Sequence, residues 1–260
     1  MEAWLESLPT QGAGAVVVGG FVLLTVLIGI AVDRFAPRRV RIEHNDLAGF
    51  ILAVIGVVYA VLLAFVTIGV WERYQQAEER TFDETAMLAV AYRDADLFPR
   101  GHELRATIRE YAETVIQDEW PQMQRGEQSA RADKLMERID RIVRSLPVKS
   151  AGQQDVHDQI LVAINFAQND RDTRLSEDAS GINGLMWIVL VTGAVITVAF
   201  TFLFGFKHDG MQVLMTGSLA LLIGLVLFLT VALNYPYRGG ISVQPDAFHA
   251  ALHEFNAIGP

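Results

Sequence analysis

Near the end of the chain His249 and His253 stand four residues apart, the spacing at which two imidazoles on one helix share a metal ion. Asp246, one turn earlier, would add a third ligand. The same segment carries Phe248, Leu252 and Phe255 as an apolar stripe, so its other reading is an amphipathic tail lying on a surface. The His253-Glu254 order lacks the following histidine that a zinc-protease helix needs. A second concentration of polar chemistry is the carboxylate group Glu78, Glu79, Asp83 and Glu84, with Arg73 and Arg80 among them. Repeated around an oligomer, these carboxylates would form a charged collar that biases which ions approach. In a single copy the same pattern reads as a solvated helix face held by spaced opposite charges.

The third group consists of hydroxyls and small residues. Gly193, Thr197, Thr201 and Gly205 recur at four-residue steps, as do Thr216, Ala220 and Gly224, and Gly56, Ala60 and Ala64. Tyr59 and Thr67 could join either surface that such stripes make. Small residues at this spacing let helices approach closely in lipid. Threonine hydroxyls could instead wet a permeation path without holding an ion too tightly. Both readings are open at this point. Catalysis finds no foothold: there is no Gly-rich phosphate loop, no cysteine nucleophile and no Gly-x-Ser-x-Gly elbow. Neither enzyme activity nor a cofactor is expected.

The elements that must position these residues follow from hydropathy. Ala13 to Val32, Leu47 to Val70, Ile182 to Phe206 and Met211 to Leu233 are apolar runs, each long enough to cross a bilayer core of about 30 Å as a helix. They contain no Asp, Glu, Lys, Arg or His, which argues against proton relays, voltage sensors and charge-coupled transporters. The formal charge of −9 is concentrated between them: residues 71 to 181 hold 15 Lys or Arg against 22 Asp or Glu, a net of −7. So acidic a region is unsuited to nucleic acid, whose phosphates need clustered excess cations.

The N-terminus has Glu2 and Glu6 and no Lys or Arg, unlike the basic start of a cleavable signal, so the first span reads as a retained helix. Its exit holds Arg34, Arg38, Arg39 and Arg41, and short arginine-rich loops stay on the cytoplasmic side. Residues 71 to 181 would then lie outside the membrane, which in a bacterium is the periplasmic side of the inner membrane. Arg73, Arg80, Arg171 and Arg174 on the opposite side weaken the asymmetry and keep a cytoplasmic placement as the alternative.

After Gly69 there is no glycine or proline until Pro99, so the second span should run out of the membrane as one helix to Leu97. Trp71, Tyr74, Ala77, Phe82, Thr85, Leu88, Tyr92 and Ala95 mark its packing face. Further stripes predict a helix up to Trp120-Pro121, another ending before Pro147, and a last one from about Gln153. The last should continue towards the third span with Gly181 and Gly184 as kinks. No strand alternation is present. The expected fold is all-α: a four-span helical membrane domain with an inserted extramembrane antiparallel helical bundle. The corresponding segments are residues 1–70, 71–181, 182–236 and a tail, 237–260.

Several strings carry a resemblance. Asn45-Asp46-Leu47-Ala48-Gly49-Phe50, Tyr59-Ala60-Val61-Leu62-Leu63-Ala64-Phe65, Trp71, Tyr74, Arg171, Arg174 and the closing Leu233-Asn234-Tyr235-Pro236-Tyr237-Arg238-Gly239 are similar to an uncharacterised bacterial family described as bestrophin-like. The similarity covers nearly the whole chain and is weakest from about residue 126 to 154. It implies an oligomeric anion channel in which the second span of each subunit lines a central pore. It also implies a cytosolic bundle, in conflict with the arginine loop. Where the family pattern has an acidic residue before the aromatic-proline pair, this chain has Asn234, which puts any carboxylate role there in doubt. Two functions follow as expectations: a homo-oligomer in membrane lipid that passes small ions, or a non-conducting interaction, sensor or scaffold protein.

Overall fold

The computed structural model describes residues 10–35, 45–204 and 209–259, and every regular element among them is helical. In chain order these are α1 (Thr10–Phe35), α2 (Asn45–Asp94) with a 3-10 turn at Ala95–Leu97, and α3 (Gly101–Thr114). A π-helical turn at Val115–Glu119 leads into α4 (Trp120–Met123). Then come α5 (Ala130–Arg144), α6 (Ala151–Ala179), α7 (Gly184–Thr201), α8 (Asp209–Ala232) and α9 (Asp246–Ile258). Gly205 and the arginines Arg38, Arg39 and Arg41 lie outside the described residues.

The chain divides into two compact units, residues 1–72 with 182–234 and residues 73–181 with 235–260. Asn45–Leu97, which starts in the first unit and ends in the second, and Gly184–Thr201 and Gly210–Ala232 of the first are long and apolar enough to cross a membrane, and α1 contributes a shorter apolar run, Val18–Val32. Because lipid gives no hydrophobic drive between helices, close backbone approach has to hold them. A Cβ added at Gly14 would lie 2.9 Å from the Phe228 ring, and one at Gly224 would lie 3.4 Å from Val18. These contacts seat α1 along α8. Gly29 takes the Phe202 ring in the same manner.

The second unit is a helical bundle whose core includes Leu88, Tyr92, Leu104, Ile108, Tyr111, Ile139 and Ile164. Two of its helices, α5 and α6, begin where side chains satisfy orphaned backbone N–H groups: the Ser129 hydroxyl accepts from Ala132 N, and the Ser150 hydroxyl accepts from Gln153 N. Gly101 opens α3 because a Cβ there would meet the Ala95 carbonyl oxygen at 1.9 Å.

Three expectations need correction. On α2, Trp71 and Phe82 are about half exposed and stand off the buried stripe that Ala77, Thr85, Leu88, Tyr92 and Ala95 do form. α6 does not kink into the third span. It stops at Ala179, Ser180 is extended, and α7 starts anew with the Asn183 side chain accepting from Leu185 N. Nor does the final segment lie on a surface. Phe248 and Phe255 of α9 are fully buried in the bundle core, Phe255 stacked on Tyr92 at 4.2 Å and Phe248 edge-on to Tyr111 and Trp120.

Candidate functional site

The hydroxyls singled out in the membrane unit are turned into the subunit. Thr197 donates to the Gly193 carbonyl at 2.8 Å and Thr201 to the Val198 carbonyl at 2.6 Å, each within its own helix, and both residues are buried. Thr67 donates to the Leu63 carbonyl and lies 3.2 Å from the Thr230 hydroxyl. Tyr59 lays its ring on Gly193, where an added Cβ would come within 2.4 Å of it. Its hydroxyl is buried and finds no partner among the described residues. Within one copy, therefore, Tyr59, Gly193, Thr197 and Thr201 make a packing surface. Thr216, Ala220 and Gly224 do the same on α8.

The stripe on α2 behaves differently. Gly56 has nothing within 4 Å of an added Cβ, and Ala60 and Ala64 are exposed with Val57, Val61, Phe65 and Ile68. An uncharged apolar face along the longest helix is left without protein cover in a single copy.

The bundle holds a layer of buried charge. Arg174 of α6, fully buried, donates from Nε to Glu84 Oε2 of α2 at 2.9 Å and from Nη2 to Glu119 Oε1 at 2.7 Å. Arg171, one turn before it, pairs with Glu119 Oε2 and with Asp133 of α5 at 2.7 Å. Tyr111 of α3 donates its hydroxyl to Glu84. The Arg174 guanidinium also lies 5.1 Å from the Trp120 ring centre and 5.7 Å from that of Phe248. The π turn continues α3 and ends on Glu119, so both residues reach the layer, Tyr111 through Glu84 and Glu119 directly on Arg174.

The two glutamates occupy unlike electrostatic positions. Burial pushes the Glu84 carboxyl above the ordinary range, opposed by the charge and hydrogen bonds of Arg174 and by Tyr111. Burial acts on Glu119 too, but Arg174 and Arg171 together outweigh it and hold that carboxyl below the ordinary range. Such a layer adds little net stability over an apolar core, yet it punishes loss of any one member.

The proposed collar is thus split. Glu78, Glu79 and Asp83 are exposed, but Glu84 is wholly buried and paired, because it falls on the apolar stripe of α2 and faces Arg174. Arg171 and Arg174 belong to this layer, and Tyr74 packs partly buried against the bundle core. Trp71 is exposed at the end of the apolar part of α2. Asn234 accepts from Ile182 N at 2.7 Å, a bond an aspartate oxygen could equally accept, so the departure from the family pattern leaves this tie intact. Pro236 is buried and its carbonyl accepts from Val243 N. His249 and His253 lie on the exposed face of α9, and no three His, Cys, Asp or Glu side chains among the described residues converge to hold a metal.

Sequence reasoning missed Glu119, Tyr111, Trp120 and Asp133. The signal was present: Glu119 is the next four-residue step of the apolar series Leu104, Ile108, Tyr111, Val115, so it had to point inward.

Comparison with known proteins agrees with this architecture. A crystal structure of a bacterial Bestrophin homolog from Klebsiella pneumoniae, carrying a point mutation, superposes with a TM-score of 0.69 at 10% identity, covering 94% of this chain and 99% of that one. A second structure of the Klebsiella pneumoniae homolog gives 0.67 at 9% identity over 92% and 97%. A structure described as a membrane protein variant gives 0.70 at 9% identity over 94% and 99%. No curated protein matches. At these identities the likeness establishes the fold. The family model for the Bestrophin-like domain matches residues 19–248, and on that span the chain belongs to the bestrophin-like family.

Proposed function

We propose that this protein is the subunit of a homo-oligomeric ion channel of the bacterial inner membrane. Family membership supports a channel, and the observation that carries the assembly is the uncovered apolar face of α2, with Val57, Val61, Phe65 and Ile68 turned away from their own subunit. Lipid or further copies must cover such a face, and copies arranged around an axis would wall a path with it. Because Tyr59, Thr197 and Thr201 are spent on internal packing, that path would be an apolar constriction rather than a hydroxyl-lined one. Constrictions of this kind gate small ions by dewetting. The exposed Glu78 beyond the apolar run remains available to bias ion approach.

The same inward hydroxyls support a second reading, a non-conducting scaffold whose bundle recruits a partner at the membrane. Planar bilayers holding purified protein, with the oligomer verified by mass, separate the two. Single-channel currents across a salt gradient are expected, and replacing Phe65 by Ser should raise conductance by wetting the constriction. An intact oligomer that passes no current across salts, voltages and pH removes the channel. We further infer a periplasmic bundle from the arginine-rich exit of the first span. An alkaline-phosphatase fusion near residue 130 should be active, and a well-expressed inactive fusion would make the bundle cytoplasmic.

A further inference from the structure

Among the described glycines of the membrane unit, Gly193 of α7 gives a neighbour the tightest seat. An added Cβ would lie 2.4 and 2.6 Å from two ring carbons of Tyr59 and 3.6 Å from the carbon that attaches the ring. These atoms form one edge of the ring with its root, so tilting the hydroxyl end alone does not relieve the clash. Tyr59 is only 7% exposed and packs in one cluster with Leu63, Leu190, Ala194 and Val198. So dense a surround leaves the ring no room to swing aside. Its hydroxyl has no hydrogen-bond partner among the described residues, so shape alone sets the spacing of α2 and α7 at this point. A methyl at position 193 therefore has to be accommodated by moving α2. Restoring an ordinary carbon contact of about 3.5 Å from 2.4 Å asks for about 1 Å of displacement. Helix geometry gives its direction. Successive residues turn by about 100°, so Val57 and Val61, two positions before and after Tyr59, stand about 160° from it on the opposite side of α2. Both are exposed, and both belong to the face that the channel reading turns toward the path.

We propose that Gly193 sets the calibre of the ion path: by seating the Tyr59 ring without a side chain between them, it holds α2 back and fixes how far Val57 and Val61 reach into the constriction. This rests on the channel reading above and deepens it by naming a positioning residue that touches neither the ion nor the path. Pushing α2 off α7 at Tyr59 carries Val57 and Val61 away from their own subunit. Every copy of a symmetric assembly does the same, so the path loses about 1 Å of radius. An apolar constriction is the kind that responds most to such a change, because it admits an ion only where it stays wide enough to hold water. Tyr59 acts here as a spacer, through its ring and not through its hydroxyl.

Planar bilayers holding full-length variants test this with ions of graded size: sodium, methylammonium and tetramethylammonium against a fixed anion, and chloride, acetate and gluconate against a fixed cation. For the largest ion that wild type passes, Gly193→Ala should lower the permeability relative to the smallest by about tenfold. Tyr59→Leu removes the ring and should admit the next larger ion, and the two substitutions together should return the wild-type cut-off. Tyr59→Phe keeps the ring and should keep the cut-off. A merely structural role scales all ions alike and leaves their ratio unmoved. If Gly193→Ala does not assemble, Tyr59→Leu decides by its opposite shift. A cut-off unmoved in both, or moved as far by Tyr59→Phe, overturns the proposal. The seat is also read without current. The chain contains no cysteine, so Val61→Cys in membranes reports the spacing of neighbouring copies through its rate of disulfide formation, and adding Gly193→Ala should raise that rate several-fold. A raised rate with no current from any variant removes the channel and leaves the seat. Wild-type current with an unmoved cut-off and an unmoved rate removes the seat alone.

Discussion

Replacing Arg174 by Met tests whether the buried layer is organised as described. The thioether fills much of the aliphatic volume but removes every N–H. Glu84 is left with the Tyr111 hydroxyl alone, and Glu119 keeps only Arg171. Removing one partner of a buried pair costs about 3–5 kcal/mol, a large part of a domain stability of about 5–15 kcal/mol. Because one tenfold change in an equilibrium constant corresponds to about 1.4 kcal/mol, the amide opening equilibria around residues 171–174 should rise roughly 10²- to 10⁴-fold. Hydrogen exchange of the full-length protein in detergent, read by mass spectrometry on peptides from α6 and the π turn, measures this directly. Glu84→Leu combined with Arg174→Met supplies the internal control. Deleting both charges should recover about 1–3 kcal/mol relative to the sum of the single variants. If Arg174→Met alone leaves exchange within about fivefold of wild type, equivalent to roughly 1 kcal/mol, the layer is not the uncompensated-charge trap argued here.

The glutamates should answer pH with opposite sign. Glu84, raised by burial, favours its protonated form in the folded state, so its contribution is complete below the ordinary 4.5 and lost as pH rises through its elevated value. Thermal melts should show wild type losing ground to Glu84→Gln as pH rises through that window. Glu119 is held low, so its contribution exists above 4.5 and is lost as pH falls through its folded value, and wild type should lose ground to Glu119→Gln in acid. Gly193→Ala places a methyl 2.4 Å from a Tyr59 ring carbon and should cost about 1–3 kcal/mol in a detergent melt, with Tyr59→Leu added to it recovering part of the loss. Asn234→Asp should melt like wild type, because an acceptor for Ile182 N is retained. Asn234→Leu should lower stability by about 1–3 kcal/mol by orphaning that N–H.

The division of the chain into two materials was legible without coordinates, because twenty-residue apolar runs and an acidic interval have only one partition between lipid and water. The uninterrupted α2 followed from its lack of glycine and proline past Gly69, and the bundle helices from their stripes and stop residues. Periodicity names the face of a helix that is covered. It cannot name what covers it. That is why Glu84 and Arg174, ninety residues apart in sequence, read as a collar carboxylate and a motif residue until folding set them 2.9 Å apart. The same limit applies to the threonines, whose spacing fits a wet path and a dry packing surface equally. Folding sets Gly193 beneath Tyr59 and bonds the Thr197 and Thr201 hydroxyls to their own helix, so within one copy they lie in a packing surface. The sequence by itself determined where water and lipid must lie, since that depends on composition summed along a helix. The tertiary structure alone decided which charges are desolvated together, since that depends on pairs of residues that only the packed chain makes neighbours.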